Sequence, residues 1–282
     1  SKSKSSVGGR KMNKKALKKK HNWQLIIGCA LTGFLAVLTL IGQFWTPYDV
    51  TGMNAALKNM PPSFEHIMGT DNFGRDVFSR VMNGTGTTFF VALCTVGIGA
   101  VFGTIIGAVT GYIGGWLDEI VMRMNDVILS FPSILLALIL IALLEPGKMN
   151  IIVALGIVFI PSFARIVRGE VIRCKAQEYV QSARVMGAGG FRIIFFHILP
   201  NIWVSMLTAA MIGFNNAVLS EASMSYLGLG VQPPEASLGR MLSEAQSFIF
   251  NAPWYAIWPG VVIILIILGF SMISEGLRQL KK

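Results

Sequence analysis

The densest group of chemically capable side chains is the run Gly69, Thr70, Asp71, Asn72, Phe73, Gly74, Arg75, Asp76, Val77, Phe78, Ser79, Arg80. Acids and bases alternating with glycines suit a compact turn that leads into a capped helix, with Asp71 or Asp76 accepting backbone amides. Arg75 and Arg80 predict an ion-pair network around those acids; a metal held by Asp71, Asp76 and His66 is the competing use of the same oxygens. Glu221 ends a long apolar run beside Ser220 and Ser223. A carboxylate there either lines a solute path or faces outer water at a helix end. Met206, Met211 and Met224 could offer soft ligands, but in a chain with 14 methionines they read as gap-fillers. Enzymatic chemistry lacks its parts. The histidines, His21, His66 and His197, form no HExxH, no GxSxG elbow occurs, and Cys29, Cys94 and Cys174 lie apart without a CxxC pair. With no GxxxxGK[ST] loop, nothing here can cradle the phosphates of ATP.

The elements that must position these groups lie in a membrane. Of 282 residues, 53% are hydrophobic and only 13% charged, against about 25% charge in a soluble domain, and the mean hydropathy is +0.62. That excludes a soluble globule, a disordered chain and a disulfide-stapled fold. A helix crosses roughly 30 Å of hydrocarbon in about 20 residues. Uncharged stretches predict six spans: Trp23 to Trp45, Thr87 to Ile113, Val127 to Leu144, Asn150 to Ala164, Asn201 to Leu219, and Trp254 to Ile273. None alternates like a barrel strand, so all are read as helices. The fourth is short and spans only if Arg165 snorkels. In the second, Gly99, Gly103, Gly107, Gly111 and Gly115 recur every four residues and mark a helix-packing face, read as static packing rather than a sliding surface.

The net charge of +10 is concentrated. Nine of the 24 Lys and Arg residues precede Trp23, in a basic segment over 1–22 that has no acids. Its composition predicts a disordered cytoplasmic tail near an anionic leaflet. A nucleic-acid arm is the alternative, but a basic flank before a long apolar run is a topology signal. The following span is too long for the core of a cleaved signal peptide. With the amino end inside, 19 basic residues fall on inner segments and five on outer ones, so both termini are expected in the cytoplasm. Two connections carry information, an extracytoplasmic loop over 46–86 and a basic cytoplasmic loop over 165–197. The latter predicts a short helix from Glu178, ended by Gly187 in a left-handed cap, with Pro200 opening the fifth span. Such a helix suits docking on a cytoplasmic partner; lying in the headgroups is the alternative.

This loop resembles the EAA motif of ABC-importer permeases. Ala183, Gly187, Leu199 and Pro200 hold its spacing, with Gln181 and Ser182 at its first two positions and His197 where Ile is usual. Over about residues 20 to 278 the chain resembles the smaller (C-type) permease subunit of dipeptide, oligopeptide and nickel importers. The likeness rests on the Gly69 to Arg80 string, on Ala164 to Arg168 ahead of Glu178 and Tyr179, on His197 to Asn201, and on Ser225 to Pro234. Ile273 to Arg278 departs from the Gly-Asp-Gly-Leu-Arg-Asp of relatives. The resemblance implies an all-α membrane protein with a six-helix, type I (MetI-like) bundle, residues 23–282 forming the permease domain in a bacterial cell membrane. It implies that Glu178, Tyr179, Gln181, Ala183, Arg184, Gly187, Leu199 and Pro200 couple to an ATPase. ATP and magnesium would be bound by two cytoplasmic ATPase subunits and not by this chain, which is not an enzyme. A second homologous permease and an extracytoplasmic solute-binding protein would complete the importer. Peptides are the expected cargo, with nickel, metal chelates or glutathione-like solutes as alternatives. An ATPase-independent secondary transporter should show internal repeats or mid-span charges, and neither is evident; a scaffold or receptor without transport is the remaining class.

Overall fold

The computed structural model describes the backbone of residues 5–280 and the side chains of residues 23–278. Its elements are helical: α1 (Ser5–Phe44), a 3-10 turn at Ala55–Leu57, α2 (Val77–Ile113), α3 (Gly115–Ser130), α4 (Ser133–Leu144), α5 (Lys148–Lys175), α6 (Glu178–Val185), the single turn α7 (Gly190–Arg192), a π-helical segment at Ile193–Ile198, α8 (Leu199–Tyr226), α9 (Leu238–Ala245) and α10 (Trp254–Leu280). Five helices are long and apolar enough to cross a membrane, and α3 with α4 makes a sixth span if that bent pair is counted as one.

Several boundaries differ from the expected ones, each for a local reason. The third span is broken: α3 and α4 meet at 90°. Phe131 precedes Pro132 and is held extended, at φ −84° and ψ 141°, because the proline ring excludes the helical region there. The fourth span does not end at Ala164 but runs on to Lys175 as a 28-residue helix. Arg165 pairs with Asp126, and Arg168 grips Asp118 through two bonds of 2.5 and 2.6 Å, so charge is neutralised along α5 and the helix continues. Most of the cytoplasmic loop expected over 165–197 is therefore helix. At the other end, α2 starts at Val77, taking the last ten residues of the loop expected over 46–86. The basic segment expected to be disordered continues α1 back to Ser5, since Lys and Ala extend a helix that the apolar span has nucleated; residues 1–4 lie outside the described residues.

Packing is tightest between α2 and α5. A Cβ placed on Gly99 would meet Phe159 Cβ at 2.8 Å, on Gly103 Phe163 Cβ at 2.5 Å, and on Gly111 the Arg168 carbonyl at 3.0 Å, while on Gly107 it would collide with the Ala164 carbonyl. These glycines bring two backbones together where larger side chains could not fit. Gly115, the fifth member of the repeat, does not belong to this face: it lies beyond the end of α2, at φ +65°, with open space around it. The periodicity did not reveal a second close approach, of α1 to α10, where Gly28 faces Met272, Gly269 faces Thr32 and Gly276 faces Leu25. Asn125 of α3 donates to the carbonyl of Pro161 in α5 at 2.8 Å, fixing the broken span to the bundle.

Candidate functional site

One candidate site lies at each end of α2, about 55 Å apart by the rise of 1.5 Å per residue. At the carboxyl end, α6 lies on a platform built by α2, α5 and α8. Val180 and Ala183 are its buried residues, and Val180 packs into a cluster with Val167, Val171, Ile193 and Ile202. The helix ends as a Schellman motif: Gly187 N–H bonds the Arg184 carbonyl and Ala188 N–H the Ala183 carbonyl, both at 3.0 Å, with Gly187 at φ +83°. Glu178, Tyr179, Gln181 and Arg184 are exposed. So are Val185, at 88%, and Met186, at 80%, two apolar side chains on the far side of a helix whose near side is already packed. Partial desolvation, with the Cys174 thiol next to it, pushes the Tyr179 hydroxyl up to about 12.

The platform is braced by Tyr112. Lys175 Nζ donates to its backbone carbonyl at 2.5 Å, the Arg184 guanidinium lies 5.8 Å from its ring centre, and a Cβ on Gly190 would meet its ring at 2.8 Å. Leu199 is half-buried and Pro200 exposed. Pro200 lies in the first turn of α8, as expected, and a π-helical segment leads into it from the turn at Gly190. Leu199 N–H bonds the Ile194 carbonyl in a π turn, which widens the helix where the proline ring would strike the preceding turn. Asn201 Nδ2 donates to the His197 carbonyl at 2.6 Å and satisfies part of that irregular turn.

At the amino end of α2, the Gly69 to Arg80 run folds as an ion-pair cluster. Asp71, fully buried, accepts from Phe73 N–H at 2.8 Å, Arg75 N–H at 3.0 Å, Arg75 Nε at 2.6 Å and Arg80 Nη1 at 3.0 Å. Burial pushes its carboxyl above the ordinary carboxylate range, while the bonds from Arg75 pull the other way. Asp76 caps α2 through Ser79 N–H at 2.7 Å and bonds His66 Nδ1 at 2.9 Å. Gly69 and Gly74, both at φ +75°, make the turns, and a Cβ on Gly74 would overlap the Asn54 carbonyl. Thr70 is tied by its hydroxyl to the Leu57 carbonyl and by its own carbonyl to Trp254 Nε1 at 3.1 Å. The Asp71 oxygens thus serve the arginines, while those of Asp76 serve the helix cap and His66.

Residues 103–280 match the profile of the family described as the binding-protein-dependent transport system inner membrane component. The chain belongs to that family. It is 39% identical over 260 residues to the dipeptide transport system permease protein of Alkalihalophilus pseudofirmus, covering 92% of this chain and 86% of the relative. The corresponding dipeptide permease of Haemophilus influenzae is 36% identical, covering 92% and 90%. The glutathione transport system permease protein of Pectobacterium atrosepticum is 40% identical, covering 89% and 85%. A chain of the inward-facing MetNI methionine ABC transporter superposes with a TM-score of 0.57 at 20% identity, covering 70% of this chain and 95% of that one, which shows the shared all-helical fold. The chain is thus a multi-pass inner-membrane permease and not an enzyme.

Two features of this permease were not read from its sequence. Glu244 of α9 is the second acid of the cluster: it accepts from Arg75 Nη2 and Arg80 Nη2 at 3.0 Å each, from Arg240 Nε at 3.2 Å and from the Tyr255 hydroxyl at 2.6 Å. Only its i,i+4 spacing from Arg240 was visible in the sequence; the arginines it serves lie more than 160 positions away. Glu221 does not face outer water at a helix end. It is fully enclosed, accepting from the Ser225 hydroxyl at 2.7 Å, and that hydroxyl in turn accepts Val231 N–H at 3.1 Å. The open side of α8 carries Asn216 and Leu219 instead.

Proposed function

We propose that this chain is one of two homologous permease halves of an ATP-driven importer for peptides. Two cytoplasmic ATPases bind ATP and magnesium, an extracytoplasmic binding protein delivers the solute, and both ends of the chain are cytoplasmic. The observation that carries the reading is the form of α6: a helix seated by Val180 and Ala183 yet presenting Glu178, Tyr179, Gln181, Arg184, Val185 and Met186 outward. Exposed apolar side chains flanked by charges on a short helix outside the spans suit burial in a protein cleft. When the ATPases close on ATP, α6 moves with them. The platform of α5, Tyr112 and the π turn passes that movement to α8, and hydrolysis resets the bundle. Gly69 to Arg80, including Gly74, Arg75 and Asp76, holds the extracytoplasmic side rigid while this happens. Peptide cargo is supported by the dipeptide and glutathione permeases among the relatives, glutathione itself being a tripeptide.

The test is ATP turnover by the complete complex in proteoliposomes with the loaded binding protein. Gly187→Trp places a bulky side chain at φ +83°, a conformation costing about 1–3 kcal/mol for such a residue, and unravels the end of α6. The variant should insert normally and lose about tenfold or more of its stimulated turnover and uptake. Normal uptake by that variant would overturn the docking role.

A further inference from the structure

Three cavities lie along one side of α8 and meet at Leu219, which lines all of them. The one toward α9, about 520 Å³, is walled by apolar groups such as Leu242 and Ile263. The one toward the end of α10, about 370 Å³, includes Ser271, Ser274 and Arg278. Between them lies a cavity of about 320 Å³ lined by Ser133, Ser162, Asn216 and Ser220 together with Val158 and Phe159. Asn216 belongs to both the middle and the inner cavity, so the three form one trough, floored by α8 and flanked by α4 and α5 on one side and α10 on the other.

The middle cavity sits at the break of the third span, beside Pro161 at the midpoint of α5. Its four polar side chains come from three different elements, and none of them makes a hydrogen bond within the described residues. Polar groups left unpaired at that depth are costly against lipid, so they turn to water, to a polar solute or to the second permease half. We infer that Ser133, Ser162, Asn216 and Ser220 form a solute station that takes the amide groups of a peptide backbone. A carboxamide and three hydroxyls each donate and accept, as a peptide unit requires, and none carries a charge. A bare divalent cation finds no carboxylate, imidazole or thiolate in this lining. The volume lies at the low end of the range of about 300–1,000 Å³ for small-molecule sites. Without fixed charges the station grips peptides independently of their side-chain charge and weakly enough to release them. This deepens the importer reading and rests on it.

The first measurement needs neither cargo nor ATP turnover. In the complete complex, with Cys29→Ala, Cys94→Ala and Cys174→Ala as background, a membrane-impermeant methanethiosulfonate is applied to Asn216→Cys and, as a second reporter, Ser220→Cys. Val101→Cys, on the outer face of α2, is the reference. Labelling about tenfold faster than the reference, because a thiol in water ionises where one against lipid does not, and slowed by dipeptide-loaded binding protein, is expected at both positions. Rates equal to the reference at both would overturn the proposal, whatever the outcome at Gly187. The second measurement pairs uptake with turnover. Asn216→Leu should lower dipeptide uptake about tenfold, as loss of a buried hydrogen bond does, with stimulated ATP turnover changed less than about twofold and Asn216→Gln restoring transport. Unchanged uptake, or turnover falling in step with uptake, would overturn it, as would uptake of free nickel ion matching that of dipeptide in the parent complex.

Discussion

Glu244 gathers four donors on one carboxylate, three of them guanidinium groups, in a site that is nearly closed to solvent. Removing it would leave Arg75 and Arg80, with side chains only 5% and 1% exposed, sharing Asp71 alone. Breaking such a buried arrangement costs about 3–5 kcal/mol, because a desolvated charge is left without its partner. Glu244→Ala should lower the midpoint of thermal unfolding of the purified complex accordingly. Glu235→Ala, which breaks a pair with Lys148 that is 32% and 48% exposed, should cost no more than about 1 kcal/mol. Equal shifts for the two variants would show that the cluster is not what joins the Gly69 to Arg80 turn to α9 and α10. Glycine matters in the same turn for a different reason, since at Gly74 the backbone both takes φ +75° and passes against the Asn54 carbonyl.

Among helices, the decisive contact is the α2 and α5 pair, and its glycines are not interchangeable. Gly103 has Phe163 Cβ at 2.5 Å from where its own Cβ would be, whereas Gly97, on the same helix, has nothing within 4 Å. Gly103→Ala should destabilise by about 1–3 kcal/mol through overpacking. Gly97→Ala should be neutral or stabilise by about 0.5–1 kcal/mol, because alanine loses less conformational freedom in a helix. Thermal unfolding of the two variants in one detergent measures the contrast directly. If α6 couples to an ATPase as proposed, the same close packing gives its movement a rigid route, because α2 and α5 touch backbone to backbone along several turns and cannot shear without separating. The π turn before Pro200 is the one place on that route where the helix is widened rather than tightened.

For the assembled transporter, the two ends of α2 have opposite demands. The amino end is a closed ionic knot with its acids and bases neutralised internally, while the carboxyl end leaves Val185 and Met186 largely exposed. If α6 enters an ATPase cleft, Met186→Cys, 80% exposed, should cross-link to an ATPase subunit with a short bifunctional thiol reagent in the intact complex. Val180→Cys, 1% exposed and facing the α5 platform, should not. Cross-linking from neither position would remove the coupling assignment while leaving the permease fold untouched.

The membrane nature of the chain, its apolar spans, the α2 glycine face and the short capped helix at Gly187 were all legible in the amino-acid order. Each depends on neighbours within a few turns: hydrophobic run length, a four-residue period, a glycine after an amphipathic segment. Where one helix breaks and another runs on was less legible. Pro132 divides the third span, yet Pro161 lies inside a continuous α5, and beyond it Arg165 and Arg168 find acids on α3, a matter of spatial pairing that local propensity does not contain. The partners of the Gly69 to Arg80 motif and the fate of Glu221 were beyond reach for the same reason. Glu244, Tyr255 and Trp254 come from far along the chain, and whether a helix-end carboxylate is enclosed or wet depends on how neighbouring helices close over it. Folding alone brought Ser133, Ser162, Asn216 and Ser220 together, since unpaired polar groups become a site only when separate helices turn them toward the same space.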